Sequence, residues 1–539
     1  MERIISLLMF LVILIQFFTV AKTIGLKNEN EVITIAEDYL KDSADYQYCG
    51  KTVDLEKYTV ECLDDEKMCL VSDTIDDYHS FRSSIKDRMY EETSLQSGGL
   101  SVVLNNLLLN RQSLDYYRYI DRLDNTQYKY FTTTYSICRT IIEDDFAFVD
   151  LYEGADFEYT ELDKPSFIST HFNVWLTSLE GKWFVFAVES DSEFYTYNKE
   201  RTIDLESVLA GIYDAYLQNA GRENYVKGKG NCSLDTENDL DEERSGTTRV
   251  YRKDNAVNYA LTYSSNSGAL GTPSYRNNRF YYNKSDCMRF ASQCVWAGFG
   301  GSNSQTDINN KYGMLTSGSK IWYCTKTSCF STWQSTQSFK ALFTNGNNNN
   351  GTGIQANVNE VSYDSNLLTG GSVGQSDLLG SVLLVKGTYG LHHHAVILTT
   401  VLGSTRQTVY FTAYNRCREN CKLSSFFPSS SNDSNDGIFI ISPKYLYDAN
   451  VQSGVYAFGE LIPAQNNNTT VTVKGKASAS VSMLKIDVYP PSSSTPAYSY
   501  TSHNSNTVSG TVYLNQTGEW SVVVSGTVAQ TYTYVVRVK

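Results

Sequence analysis

The stretch Asn283-Lys-Ser-Asp-Cys-Met-Arg-Phe-Ala-Ser-Gln-Cys294 predicts a helix with a cysteine in its first turn. Ser285 can cap that helix, because its side-chain oxygen can accept a hydrogen bond from a first-turn backbone N–H. Apolar residues then recur at spacings of three and four from Phe290 to Ala297, which is typical of one buried helix face. The helix dipole and the N–H groups of the first turn favour the thiolate form of Cys287. The same N–H groups can stabilise an oxyanion, so the stretch predicts a nucleophilic thiol suited to acyl transfer.

The eleven cysteines of the chain open an alternative interpretation of this thiol. In an exported protein most cysteines form disulfides, and two pairs are spaced for short local ones: Cys324 with Cys329, and Cys417 with Cys421. The odd count leaves at least one thiol over if the others pair internally. Cys294 falls in the middle of the predicted helix, where we expect it in the core or in a disulfide. Cys287 therefore remains the candidate nucleophile.

The N-terminus predicts export. A hydrophobic run covers residues 4–20 behind Arg3, and small residues follow at Val20-Ala-Lys-Thr23, so we interpret residues 1–23 as a signal peptide. An uncleaved anchor is the competing interpretation, because the run is only just shorter than a membrane span. We expect a secreted or cell-surface protein that has no stable membrane span once the signal is cleaved.

The composition narrows the range of partners. The formal net charge of −14 and the pI near 5 argue against a nucleic-acid partner, and no basic cluster opposes that conclusion. Forty tyrosines favour β-rich folds with stacking surfaces, which makes carbohydrate a candidate ligand.

Changes in composition divide the chain after the signal into four parts. Residues 24–200 predict an α+β domain with a hairpin at Leu179-Glu-Gly-Lys182, and they resemble cone-shaped modules of the nuclear-transport-factor type. Residues 201–246 predict a helix and an acidic linker, and residues 247–463 contain the catalytic candidate. From residue 464 onward, alternating Val, Tyr, Ser and Thr predict a small β-sandwich. The expected fold class is α+β.

A series of short motifs lies between residues 251 and 425: Tyr251–Ala260, Pro273-Ser-Tyr275, Asp286–Gln293, Trp322-Tyr323, Ser331-Thr-Trp333, Leu379–Leu384 and His394–Leu398. Their order resembles that of the putative amidase domain found in exported bacterial proteins. That family is grouped with papain-like cysteine hydrolases, near the CHAP and NlpC-type cell-wall enzymes. The resemblance implies a papain-like domain that cleaves an amide bond of cell-wall peptide or peptidoglycan.

His394 is the expected partner of Cys287. It directly precedes Ala395-Val-Ile-Leu-Thr-Thr400, which predicts a buried strand whose start can hold a side chain rigidly. Alternation along that strand places His392 on the same face as His394 and His393 on the opposite face. The imidazole would take the thiol proton as general base and return a proton to the leaving amine as general acid.

Asn415 is the expected orienting residue of the imidazole, because a third polar group fixes the tautomer in such sites. Asn420 and Tyr414 are close rivals for this role. A metal site at the three adjacent histidines is the weaker interpretation, since they cannot all face one ion from an extended strand. Zinc also fits the cysteines poorly, because the chain has no Cys-x-x-Cys pair. We therefore expect neither a cofactor nor a metal.

Departures from the family pattern support a second hypothesis. Ser285 replaces the usual Asn, Met288-Arg289 replaces Thr-Asn, and Ser381 replaces an Asp. Thr412-Ala-Tyr-Asn-Arg416 occupies the segment where the family has a His-Thr element. A glycan at the Asn283 sequon would also crowd the cleft. The alternative is a non-catalytic surface adhesion or binding protein that retains a degenerate amidase fold.

Overall fold

The structure is a computed structural model, and it describes fourteen stretches of the chain. These are residues 29–60, 100–192, 194–195, 248–264, 277–281, 287–316, 321–344, 353–362, 367–370, 372–386, 392–414, 418–426, 437–447 and 454–538. Of the described residues, 26% are helical and 48% lie in strands, which confirms the α+β class. The predicted signal peptide (1–23) and the predicted helix and linker (201–246) lie outside the described residues. None of the described helices is both long enough and apolar enough to cross a membrane.

The first of two compact units comprises residues 1–161 and 169–209. Its helices are α1 (29–48) and α2 (Leu100–Leu123), and its sheet has the order β1-β2-β3-β4. The strands are β1 (Tyr128–Glu143), β2 (Phe146–Tyr159), β3 (Ser166–Leu179) and β4 (Lys182–Ser190).

The predicted hairpin of this unit forms between β3 and β4. Its two turn residues, Glu180 and Gly181, both have positive φ, of 51° and 78°. Such φ values match the twist of a two-residue hairpin, and glycine adopts them without strain. Beside the hairpin, Val185 and Trp183 of β4 join a core that includes Ala36 of α1.

The second unit comprises residues 162–168 and 210–539. Its helices are α3 (Lys253–Ser264), α4 (Cys287–Gly298), α5 (Gln305–Asn309), α6 (Ser331–Gln334), α7 (Thr336–Thr344) and α8 (Gln375–Leu378). The strands of its first sheet are β5 (Thr248–Val250), β6 (Gly353–Ser362), β7 (Val382–Lys386), β8 (His392–Val401), β9 (Val409–Ala413), β10 (Arg418–Lys422) and β11 (Gly437–Tyr447).

This sheet surrounds β8, the strand that carries the histidines. Its order is β10-β9-β8-β7-β11-β5, with β6 also pairing β11, and these strand pairs are antiparallel. Residues 395–398 of β8 are fully buried, as the continuous apolar pattern predicts for a strand covered on both faces. Helices α3, α4 and α7 all contact β8.

The C-terminal strands form one five-stranded sheet in the order β12-β13-β15-β16, with β14 pairing β13. They are β12 (Ala457–Gly459), β13 (Thr469–Tyr489), β14 (Tyr498–Leu514), β15 (Gly518–Gly526) and β16 (Tyr532–Val538). The long β13–β14 ribbon folds back on itself, because the ring of Tyr500 lies directly against Gly510 and Gly475 lies against Ile486. The sheet therefore makes two facing layers from a single set of hydrogen-bonded strands.

These C-terminal strands pack on α3 within the same compact unit. The buried side chain of Asn255 donates to Gly459 O and accepts from Leu461 N, both at 3.2 Å. Near the end of the chain, Thr533 O accepts from Asn303 N at 2.7 Å. The C-terminal strands are thus joined by hydrogen bonds to α3 and to the segment that contains Asn303.

Candidate functional site

Cys287 begins α4 and is only 6% exposed. Its sulfur is a thiol in the structure, and the first-turn N–H groups of α4 surround that end of the helix. Cys294 lies two turns further along α4 and is 0% exposed. Burial raises the pKa of the Cys294 thiol well above its usual value. Cys287 therefore lies in the first turn of the helix and Cys294 in its buried middle, as the sequence predicts.

His394 lies at the start of β8, one residue before the fully buried part of the strand. Ala395 and Ile397 pack in the same core as Phe290 of α4. Because side chains alternate along a strand, His394 lies on the opposite face. Its ring lies there 5.2 Å from that of Phe426, and its Nδ1 accepts a hydrogen bond from Ala395 N at 3.1 Å.

The first turn of α4 lies over the beginning of β8. The ring of Phe290 is 5.9 Å from the ring of Tyr414, which directly follows β9. The register pairs Ile397 of β8 with Thr412 of β9, so Tyr414 comes beside Ala395, the neighbour of His394. The structure thus brings the N-terminus of α4 and the start of β8 to one end of the sheet, with the His394 ring on the face of β8 opposite the one on which Phe290 packs.

Hydrogen bonds from the motif residues hold α4 on two sides. The Tyr259 hydroxyl of α3 donates to Gln293 Oε1 at 2.8 Å and accepts from Asn277 Nδ2 at 3.0 Å. On another side, Ser292 Oγ donates to Trp333 O at 2.9 Å. The motifs that precede and follow the cysteine in sequence therefore meet around its helix.

Residues 250–438 match the family model of the putative amidase domain. The match confirms the resemblance inferred from the motif order, and it covers both Cys287 and His394. The match supports an enzymatic activity on amides, as the order of the motifs implies. No curated protein matches the chain. We refer to residues 250–438 as the amidase region.

Asn415, which we expect to orient the imidazole, lies outside the described residues, so its role stays a prediction. Of its rivals, Asn420 accepts through Oδ1 from Thr399 Oγ1 at 2.9 Å, five residues along β8 from His394. Its backbone N donates to Thr412 Oγ1. Asn420 therefore joins neighbouring strands in the middle of the sheet. Tyr414 packs against Phe290 at the end where β8 begins.

Arg289 departs from the family pattern, and its surroundings could not be predicted from the sequence. Its side chain is 3% exposed, donates to Gln334 Oε1, and lies 5.3 Å from the ring centroid of Tyr281. A cation in the first turn of α4 adds to the positive potential at that end of the helix. Its contacts come from two separate segments, which no local spacing in the sequence could indicate.

Ser381, another departure from the family pattern, makes a hydrogen bond to the backbone. It is fully buried, and its hydroxyl donates to Asp377 O. The same carbonyl accepts from Ser442 Oγ at 2.8 Å. The residue that stands at the family's Asp position thus closes the turn between α8 and β7.

The cysteine pairs predicted from spacing have different outcomes. Cys324 and Cys329 form a disulfide, as predicted. Cys417 lies outside the described residues, so its pairing with Cys421 stays a prediction. No group of three or more His, Cys, Asp or Glu side chains in the described part of the chain is arranged to hold a metal ion.

We expect the Tyr259→Phe variant to lower the free energy of unfolding by about 1–3 kcal/mol, because it leaves the buried Gln293 Oε1 and Asn277 Nδ2 without this hydroxyl. Burial raises the pKa of Tyr259 well above its usual range, so the hydroxyl remains a donor at all working pH values. Urea unfolding measures the change. Tyr513→Phe, at an exposed tyrosine of β14, is the matched control, and an equal loss in both variants would contradict the role given to the buried network.

Proposed function

We propose that the chain is an exported, cysteine-dependent amide hydrolase whose residues 247–463 form a papain-like catalytic domain. The observation that carries this proposal is the position of Cys287 at the N-terminus of α4, where the first-turn N–H groups favour the thiolate. The match of the amidase region to its family supports hydrolysis of amides. The disulfide between Cys324 and Cys329 supports export, because such bonds persist in oxidising compartments.

In the proposed reaction, the Cys287 thiolate attacks the carbonyl carbon of an amide, and the C–N bond of the resulting tetrahedral intermediate breaks. His394 accepts the thiol proton and then donates it to the leaving amine. A water molecule, deprotonated by the same imidazole, hydrolyses the thioester and restores the thiol. The backbone N–H of Cys287 contributes to the oxyanion hole, and Asn415 orients the imidazole.

The proposed substrate class is a cell-wall peptide or the sugar–peptide amide of peptidoglycan. The family resemblance is its support, together with the proposed export of the chain. Carbohydrate attached to such a peptide is a further proposed contact for the tyrosine-rich surfaces.

The experiment that tests this proposal is labelling of the native, secreted protein with iodoacetamide at pH 6, followed by peptide mapping. We expect fast modification of Cys287 and none of Cys294, because the thiolate is the reactive form and burial raises the pKa of the Cys294 thiol. In the His394→Ala variant, labelling of Cys287 should slow by about tenfold or more. Without the proposed base, a smaller fraction of Cys287 is present as the reactive thiolate.

Variants of other histidines make this result specific. His503→Ala changes an exposed histidine of β14 and should leave the labelling rate unchanged. If His393→Ala or His392→Ala slows labelling while His394→Ala does not, the base belongs to that residue and our assignment is wrong. If Cys287 is inert or disulfide-bonded in the native protein, the hydrolase proposal fails and the binding-protein hypothesis takes its place.

A further inference from the structure

A row of polar side chains crosses one face of the sheet in the first unit. It consists of Asp150 and Tyr152 on β2, His171 and Asn173 on β3, and Glu189 on β4, and we call it the polar row. Residues two apart on a strand share a face, and the register pairs Asn173 with Glu189. The row therefore spans three strands.

The polar row lies on the face turned away from α1. Tyr135 of β1 donates to Glu153 at 3.1 Å, and Glu153 alternates with Tyr152 along β2. Tyr48 of α1 stacks on Phe157 of β2, with ring centroids 6.1 Å apart, and Phe157 lies on the same face as Glu153. Since α1 covers this face, the polar row occupies the other one.

An imidazole and a carboxylate form the centre of the polar row. His171 Nε2 lies 2.7 Å from Asp150 Oδ1, and the side chains are 28% and 14% exposed, so both are partly open to solvent. The ring of Tyr152 lies 4.6 Å from the His171 ring at an interplanar angle of 34°.

Asn173 supplies a separate observation that points to a ligand. The residue is 7% exposed, and its Oδ1 is buried without a hydrogen-bond partner. Its Nδ2 makes only a long contact of 3.5 Å to Glu189 Oε2. An acceptor left in this state costs free energy, and a donor that enters the row would remove that cost.

We propose that the polar row binds the primary ammonium group of a small ligand. The row offers acceptors, namely the amide oxygen of Asn173 and the carboxylates of Glu189 and Asp150, and an ammonium group carries three donors and a positive charge. A metal ion fits less well, because the described residues contain no set of three His, Cys, Asp or Glu side chains arranged to hold one.

Isothermal titration calorimetry of the full-length protein tests this site with two amines, glucosamine and Nα-acetyl-lysine amide. Their N-acetylated forms lack the charge and should not bind. Binding of glucosamine alone would identify the source as an amino sugar, and binding of the lysine derivative alone would identify it as a peptide side chain. Either result supports the ammonium site, whereas equal binding of the acetylated compounds, or no heat from either amine, overturns it.

Two variants connect the binding to the polar row. Asn173→Leu removes the acceptor and Glu189→Gln removes the charge, so each should weaken amine binding by about tenfold or more. Asp156→Asn makes the same kind of charge change at an exposed position of β2 and should leave the affinity unchanged. Asn173→Leu should also keep the thermal midpoint, because the lost amide oxygen has no partner in the protein and the lost amide nitrogen makes only the long contact to Glu189. Affinity unaltered in both variants of the row would place the amine elsewhere and refute the proposal.

Discussion

The Cys287→Ala variant is expected to lose amide hydrolysis, with kcat/KM falling by at least about a thousandfold, because no other group of α4 can form the thioester. Cys294, the other thiol of the helix, is 0% exposed, and burial raises its pKa, so it cannot replace Cys287. Release of amine from purified peptidoglycan fragments measures the loss, with chromatography of the products identifying the bond that is cut.

Cys294→Ala is the matched control for this result. It removes the same thiol from the same helix, and hydrolysis per folded molecule should remain within a few-fold of the unchanged protein. Circular dichroism of both variants separates a chemical loss from unfolding. Hydrolysis that persists in Cys287→Ala would show that another residue is the nucleophile, and absence of hydrolysis in the unchanged protein would favour the binding-protein hypothesis.

Much of the local structure around Cys287 could be predicted from sequence because the signals are local. The apolar spacing from Phe290 to Ala297 predicted a buried helix, and α4 is buried along its whole length. The Leu179-Glu-Gly-Lys182 signal predicted a hairpin because its turn needs positive φ, which Glu180 and Gly181 adopt. Such features depend only on neighbours in the chain.

The features that sequence missed depend on residues far apart in the chain. Asn277 and Tyr259 share a hydrogen bond whose location is set by the packing of α3, and neither residue marks the other in sequence. His171 and Asp150 are 21 residues apart in the chain, yet His171 Nε2 lies 2.7 Å from Asp150 Oδ1 on the neighbouring strand. A strand register decides that contact, and the pattern of one strand does not specify its register with the next.

The same reasoning applies to the candidate catalytic pair. Sequence predicted that His394 begins a buried strand, and the structure places it at the start of β8. Sequence did not predict that Phe426 would lie against the imidazole, because that contact joins segments separated by β9 and β10. The contact with Phe426 lies on the face of β8 opposite α4, so the proposed proton transfer from Cys287 requires the imidazole to turn toward that helix.

Replacing Asn255 by alanine is expected to lower the free energy of unfolding of the second unit by about 2–4 kcal/mol. The side chain is 2% exposed and satisfies two backbone groups, Gly459 O and Leu461 N, where the C-terminal strands meet α3. Without it, a buried acceptor and a buried donor each lose a partner. Urea unfolding followed by tryptophan fluorescence measures the change.

Asn506→Ala is the matched control for Asn255→Ala, because it makes the same chemical change at an exposed position of β14. We expect its free energy of unfolding to remain within about 0.5 kcal/mol of the unchanged protein. A loss of that small size in Asn255→Ala as well would show that the hydrogen bonds to Gly459 and Leu461 contribute little to stability.

The position of Asn255 also indicates whether the amidase region needs the C-terminal strands in order to fold. A module used only for attachment would unfold separately and could be removed without effect on α4. Here Arg279, on the segment before α4, pairs with Glu519 of β15 at 3.2 Å, and Asn303 N donates to Thr533 O. We therefore expect a chain that ends at residue 463 to lack the folded amidase region. We also expect Asn255→Ala to unfold in one cooperative transition at a lower urea concentration. Rapid alkylation of Cys294 should then begin at the same urea concentration as the change in fluorescence.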